Sequence, residues 1–235
     1  MKVGFIVTAH WSDKIRPNGD KLLARYLRSI YDSCDYNFHI YIIDNESQHE
    51  LRPPGDKISY TRIDDQHAKG LTGAWNLGLH TAYHDDCDIL INCNDDLWFD
   101  KTINKLIEYI PQFEDSDNIV FGGLTNGMNT GPPRVAAGPG EGFVRMACDS
   151  PSTVMGGYCF AMTKEHYVKF RSSDIEYFDK DNKHNGGDGK WGGQEGQFIV
   201  NAEAGSYGCL INECFINHDK IRAWTIPRNI ERDSI

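Results

Sequence analysis

Through roughly the first half of the chain, apolar runs of strand length take turns with segments of helical periodicity, and this alternation leaves few architectures open. "KVGFIVT" (2–8) is a β-branched and aromatic run that ends in polar residues, as a buried strand does. "NGDKLLARYLRSIYDS" then places Leu22, Leu23, Tyr26, Leu27, Ile30 and Tyr31 on one helical face, with Asn18 or Asp20 as the cap. "FHIYIIDNES" (38–47) and "KISYTRID" (57–64) read as the second and third strands. "LTGAWNLGLHTAYHDD" (71–86) reads as a helix capped by Thr72, "DILINCNDD" as a fourth strand, residues 101–110 as a helix and "NIVFGG" as a fifth strand. This order predicts an α/β fold, a mainly parallel twisted sheet with helices on both faces.

In open sheets of this kind ligands bind outside the carboxyl ends of the strands. Thr8, Asp44 with Asn45, Asp64 with Asp65, and Asn94 to Asp96 stand at those ends and are expected to converge on one crevice. The second half is less regular and predicts a smaller mixed region. Residues 129–152 are rich in Gly and Pro and suggest a hairpin or mobile loop, and "GGYCFAMTKEHYVKF" reads as a strand followed by a helix from about Thr163. "DKDNKHNGGDGKWGGQEGQF" is polar and glycine-rich, with glycines 186, 187, 189, 192 and 193 suiting a hinge or lid, and it leads into a short helical stretch. "YGCLINECFINHDK" ends in His218 after two short apolar runs. With no repeat and no linker, residues 1–235 are expected to form one domain.

A formal charge of −10 without any Lys/Arg cluster excludes a nucleic-acid binder that works by broad phosphate neutralisation, while leaving room for a single nucleotide held through a metal. No apolar run approaches the roughly 20 residues of a membrane span, and the N-terminus lacks a signal peptide's apolar segment and cleavage site. Seven cysteines without paired CxxC spacing point to a reducing compartment, so a cytoplasmic location is expected. In that setting the acceptor pattern Asn45-Glu46-Ser47 has no evident use.

The chemistry centres on "LINCNDDLWFD" (90–100), where a buried strand runs into adjacent carboxylates. Such crowding is relieved either by open solvent or by a bound cation. Hard cations such as Mg²⁺ and Mn²⁺ take oxygen ligands, typically one or two carboxylates plus substrate phosphates. His80 and His84, at i, i+4 spacing beside Asp85 and Asp86, read as an exposed helix end in preference to a second metal site.

"IIDNES", "GLTGAWNLGL" and "DILINCNDDLWF", in that order, resemble glycosyltransferases of the GT-A fold, especially the large family-2 group. In that family a strand ends in an Asp that contacts the nucleotide base, a Gly-x-x-Asn-x-Gly helix start follows, and an apolar strand leads into an Asp-x-Asp type metal motif. Here Asn94 stands where the first acid is usual, so by register Asp96 is the preferred metal ligand, with Asp95 close behind. "WGGQE" (191–195) resembles the Trp-Gly-Gly-Glu-Asp/Asn element of galactosyl- and N-acetylgalactosaminyltransferases, with Gln194 in place of the first acid and Glu195 at the position of the acceptor-activating base. His218 in "FINHDK" resembles the histidine that completes the metal site.

The resemblance implies transfer of a sugar from a nucleotide sugar, UDP-sugars first and GDP-sugars next, to a hydroxyl of a glycan or other acceptor, with inversion favoured. It implies Mn²⁺ (or Mg²⁺) held by Asp95, Asp96 and His218, and Glu195 as catalytic base. Together with the crevice argument it implies donor contacts from Thr8, Asp44, Gly73, Asn76, Asp95, Trp191, Gly193 and Arg222, although Gly73, Asn76 and Gly78 suit plain helix-start packing and Trp191 core packing equally well. Residues 1–125 would form the donor half and 126–235 the acceptor half. Two alternatives stand beside this reading. One is a non-catalytic nucleotide- or carbohydrate-binding module of the same fold, to which the amides Asn94 and Gln194 lend weight. The other is a sugar-phosphate nucleotidyltransferase, disfavoured because "TAHWSDKIRPNGD" lacks a glycine-rich basic loop after the first strand.

Overall fold

The computed structural model describes residues 1–14, 16–64, 66–113, 119–125, 143–146, 156–179, 194 and 196–218. Strand β1 (Lys2–Ala9) is followed by helix α1 (Gly19–Ser33), β2 (Asn37–Asn45), β3 (Ile58–Ile63), α2 (Gln66–His84), β4 (Ile89–Asn94) and the short β5 (Leu97–Phe99). Then come α3 (Ile103–Tyr109), β6 (Ile119–Thr125), β7 (Phe143–Met146), β8 (Cys159–Thr163), α4 (Lys164–Phe170), α5 (Gly196–Glu203) and β9 (Tyr207–His218). The nine strands among the described residues join one sheet in the order β3-β2-β1-β4-β8-β6-β9-β5, with β7 also on β9. Strands β3, β2, β1 and β4 run parallel, and β6 is parallel to β9. Antiparallel pairings of β8, β5 and β7 make the second half mixed. The expected α/β architecture is therefore present.

The two-residue period of the strands sorts the core into two layers. Val3, Phe5 and Val7 of β1 pack with Leu23, Tyr26, Leu27 and Ile30 of α1 and with Ile103, Leu106 and Ile107 of α3. Ile6 faces the other way, onto Ala74, Trp75, Leu79 and Ala82 of α2, together with Tyr167 and Phe170 of α4 and Phe198 of α5. Helices thus cover both faces, and the loops at the carboxyl ends of β1, β2 and β4 meet along one edge.

Three local expectations are refined. Asn18 stands at the N-cap position of α1 but makes no side-chain cap bond, because its backbone (φ −105°, ψ 15°) lacks the extended shape that turns a cap side chain back onto the helix. The helix start is instead set by Gly19, where a Cβ would lie only 2.3 Å from the His10 carbonyl oxygen. Helical structure in α2 extends back to Gln66 but breaks at Gly70 (φ 60°, ψ −163°), so the segment expected from residue 71 begins directly after the break. The two apolar runs before His218 form one continuous strand, β9, whose pairing with β6 shifts register after Gly123. Helix α4 begins beside Thr163 as expected, and Thr163 caps it, its Oγ1 accepting from the His166 N–H at 3.1 Å. Among the described residues no helix is long and apolar enough to cross a membrane.

Candidate active site

Strand β4 runs parallel to β1 with Thr8 opposite Asn94, so the turn that follows emerges at the crevice edge. After Asp95 and Asp96 the chain re-enters the sheet as β5, which pairs antiparallel with β9 and brings Leu97 opposite His218. This register sets the imidazole against the carboxylate: His218 Nε2 lies 3.3 Å from Asp96 Oδ1, and both side chains are buried. The His218 ring stacks on Tyr158 with centroids 5.4 Å apart. The Tyr158 hydroxyl in turn donates to the Gly123 carbonyl at 3.1 Å and its backbone carbonyl accepts the Asn94 N–H at 2.9 Å, tying the residue under the imidazole to both β6 and the acidic turn.

Asp95 is treated differently. It is 1% exposed, and its Oδ1 pairs with Arg16 Nη2 at 2.5 Å. Arg16 comes from the loop between β1 and α1, where it is itself buried. That loop is folded back on itself: the Arg16 N–H donates to the Ser12 carbonyl (3.0 Å) and the Gly19 N–H to the Arg16 carbonyl (3.0 Å). It is also stitched to the end of β2, with the Trp11 N–H on Ser47 Oγ (2.9 Å) and the Gln48 N–H on the Trp11 carbonyl (2.7 Å). The crowding of adjacent acids is therefore eased on Asp95 by the Arg16 guanidinium, while Asp96 faces the His218 ring.

The two acids are driven in opposite directions. Burial pushes the Asp95 carboxyl up to about 6, with the Asp96 charge adding to the rise and Arg16 and the His10 N–H opposing it. Asp96 is held below the usual carboxylate range: burial alone would raise it, but the hydrogen bond from His218 and the charge of Arg16 outweigh that. Among the described residues no three His, Cys, Asp or Glu side chains are gathered as a ready metal cage. The expected three-ligand set is thus divided, with Asp96 and His218 together and Asp95 turned to Arg16. Asp96 and His218 still offer the oxygen and nitrogen donors that Mn²⁺ accepts, and Asp95 Oδ2 is a buried oxygen without an aligned hydrogen-bond partner among the described residues, so the residues present fit a divalent ion.

The other expected residues divide by what their polar atoms do. Thr8 Oγ1, at the end of β1, and Asn45 Oδ1, at the end of β2, are buried without hydrogen-bond partners among the described residues, as atoms awaiting a ligand or ordered solvent would be. Asp44 is fully buried and engaged: Oδ1 accepts from the Ser47 N–H (2.9 Å), and Oδ2 from Tyr60 Oη (2.5 Å) and Arg62 Nη1 (3.2 Å). Burial, followed by the bond to Asp44, pushes the Tyr60 hydroxyl up to about 12. Asn76 donates to the Phe178 carbonyl (2.8 Å) and accepts the Tyr177 and Phe178 N–H groups (3.1 and 2.9 Å), clipping that segment to α2. Gly73 is half-buried on the same helix. A Cβ at Gly78 would lie 2.2 Å from Ile6 Cγ2, so that glycine serves close helix–sheet packing. Trp191, Gly193, Glu195 and Arg222 lie outside the described residues, as do most of the 129–152 segment and the glycines at 186–193.

Arg16 is the residue the sequence reading missed. Its signal in the sequence is position, because it sits in the segment that leaves β1 at the crevice.

A sequence profile described as Glycosyl transferase family 2 matches residues 18–170, more than half of the chain. Among solved structures, GalNAc-T7 with UDP, GalNAc and Mn²⁺ superposes with a TM-score of 0.61 at 15% identity, over 93% of this chain and 44% of that one. TarS 1-349 of S. aureus superposes with a TM-score of 0.58 at 14% identity, over 92% of this chain and 60% of that one, and its complex with UDP gives 0.59 over the same shares. The present chain therefore spans less than two thirds of the length of each. Curated protein sequences yield no match. At these identities the structural likeness establishes the GT-A fold, and the profile match establishes the family. The chain belongs to glycosyl transferase family 2.

Proposed function

We propose that this chain transfers a sugar from a nucleotide sugar, a UDP-sugar first and a GDP-sugar next, to a hydroxyl of a glycan or other acceptor, with inversion at the anomeric carbon. The observation that carries the reading is a buried carboxylate facing a buried imidazole, Asp96 and His218 at 3.3 Å, beside the edge where the parallel strands end. Such a pair would hold Mn²⁺ (or Mg²⁺) together with the donor's phosphates. A divalent ion bound there supplies Lewis-acid stabilisation of the charge that develops on the departing diphosphate.

The chain's own groups do the rest. Arg16 holds one Asp95 oxygen, which orients the other as an acceptor for a donor hydroxyl. Thr8 and Asn45 extend this row of polar atoms along neighbouring strand ends. Asp44 acts through the Tyr60–Arg62–Ser47 network it organises, and Asn76 acts by clipping residues 177–178 to α2, with Gly73 as a further donor contact. Glu195 would accept the proton of the incoming hydroxyl, with Trp191, Gly193 and Arg222 as further donor contacts. In this reading residues 1–125 bind the nucleotide sugar and 126–235 present the acceptor.

A screen of UDP- and GDP-sugars for Mn²⁺-dependent release of nucleoside diphosphate tests the proposal. Release from at least one donor is expected, with Glu195→Gln retaining donor binding and slowing transfer by roughly 100-fold or more. Tight, metal-dependent UDP binding with no release from any donor, with or without acceptor glycans, would identify a binding module instead.

A further inference from the structure

We infer that Arg16 sets how tightly this site holds its divalent cation, acting as a resident positive charge on one of two adjacent acids that an incoming ion must work against. The inference rests on the metal reading above. Asp95 and Asp96 are neighbours in sequence and both are more than nine-tenths buried, yet they are served by different partners: Asp95 Oδ1 by Arg16 Nη2 at 2.5 Å, Asp96 Oδ1 by His218 Nε2 at 3.3 Å. The partners differ in kind. An imidazole offers a ring nitrogen that can ligate a metal once it carries no proton there, whereas a guanidinium remains protonated and has no lone pair to offer. Arg16 therefore stays a cation beside the metal. Salt screens a buried charge of this sort poorly.

Arg16 is also built in. Its backbone is fixed by bonds to Ser12 and Gly19, Gly19 is pressed against the His10 carbonyl so that no side chain fits there, and the Arg16 side chain is buried. Removing its charge would leave the Asp95 carboxylate next to Asp96 with the His10 N–H but without its cation, so the negative charge that faces an incoming ion would no longer be offset. Wild-type protein should then hold the ion loosely enough for it to leave with the nucleoside diphosphate, and loss of Arg16 should trap it.

Titration with Mn²⁺ alone at neutral pH and low salt, followed by loss of the free ion's electron paramagnetic resonance signal, tests this. Arg16→Met is expected to bind Mn²⁺ at least about tenfold more tightly than wild type, and Arg16→Lys, which keeps the charge, to stay within about threefold. Should Arg16→Met fail to fold because it strands a buried carboxylate, the double variant Arg16→Met/Asp95→Asn compared with Asp95→Asn alone carries the same information. Both lack the Asp95 charge and they differ only in the cation, so the double variant is expected to bind about tenfold more tightly. Mn²⁺ binding that depends on Asp96 but is unmoved by loss of Arg16 in either comparison overturns the inference and leaves the metal reading intact. A wild-type protein that takes up no Mn²⁺, with or without UDP, overturns both.

Discussion

The carboxamide of Gln194 donates from Nε2 to Thr72 Oγ1 at 2.9 Å, fastening the residue next to Glu195 to α2 just after its break at Gly70. Both partners are buried. An amide in place of the acid usual in the resembling motif therefore has a structural use, because an ionised carboxylate has no hydrogen to donate.

Replacing Gln194 with Glu is accordingly expected to lower stability and not to raise activity. An ionised carboxylate would be buried where a neutral amide now stands, a cost of about 1–3 kcal/mol. Urea unfolding measures it. A Gln194→Glu variant as stable as wild type, with faster transfer, would show that the amide is a damaged catalytic acid.

Gly78 predicts a packing defect of a different kind. Its α-carbon lies so near Ile6 that Gly78→Ala would place a methyl group 2.2 Å from Ile6 Cγ2. We expect destabilisation of about 1–3 kcal/mol, partly recovered when Ile6→Ala is added. Donor affinity of the folded fraction should be unchanged. A stable Gly78→Ala protein with impaired donor binding would instead favour direct substrate contact at the glycine.

The buried Asp95 predicts a pH dependence with a definite sign. Its folded-state pKa, about 6, lies above the ordinary carboxylate value, so the folded protein binds this proton more tightly than the unfolded chain does. The resulting contribution to stability is fully present below about pH 4 and is lost as pH rises through 6. Asp96, shifted downward, makes its change below that window. Relative to Asp95→Asn, wild type should lose on the order of 2 kcal/mol between pH 4 and pH 7. Parallel denaturation curves for the two proteins across that range would contradict the assignment.

Much of the fold was legible because it depends on local patterning. The alternation of strand and helix through residue 125 follows from periodicity, and the carboxyl-edge rule points to Thr8, Asn45, Asp95 and Asp96, whereas Asp64 is exposed and paired with Arg62 and Asp65 lies outside the described residues. What escaped depends on partners distant in sequence. "LWF" is too short to declare itself a strand, and only its pairing with β9 makes it one, so the contact of His218 with Asp96 follows from register and could be anticipated only by resemblance. The position of Asp44 at a strand end suggests a ligand contact, while Tyr60 and Arg62 on the neighbouring strand engage its carboxylate. Arg16 was hidden for the same reason: nothing local to its loop announces that the guanidinium will turn inward to Asp95.

The central claim, that Asp96 and His218 grip a cation that holds the donor's diphosphate, is tested most directly by calorimetric titration of UDP into wild-type and Asp96→Ala protein, with Mn²⁺ or with chelator. UDP is expected to bind wild type in the presence of Mn²⁺ and to lose about 100-fold or more in affinity on chelation or on substitution of Asp96. Equal UDP affinity with chelator present, or in Asp96→Ala, would contradict it.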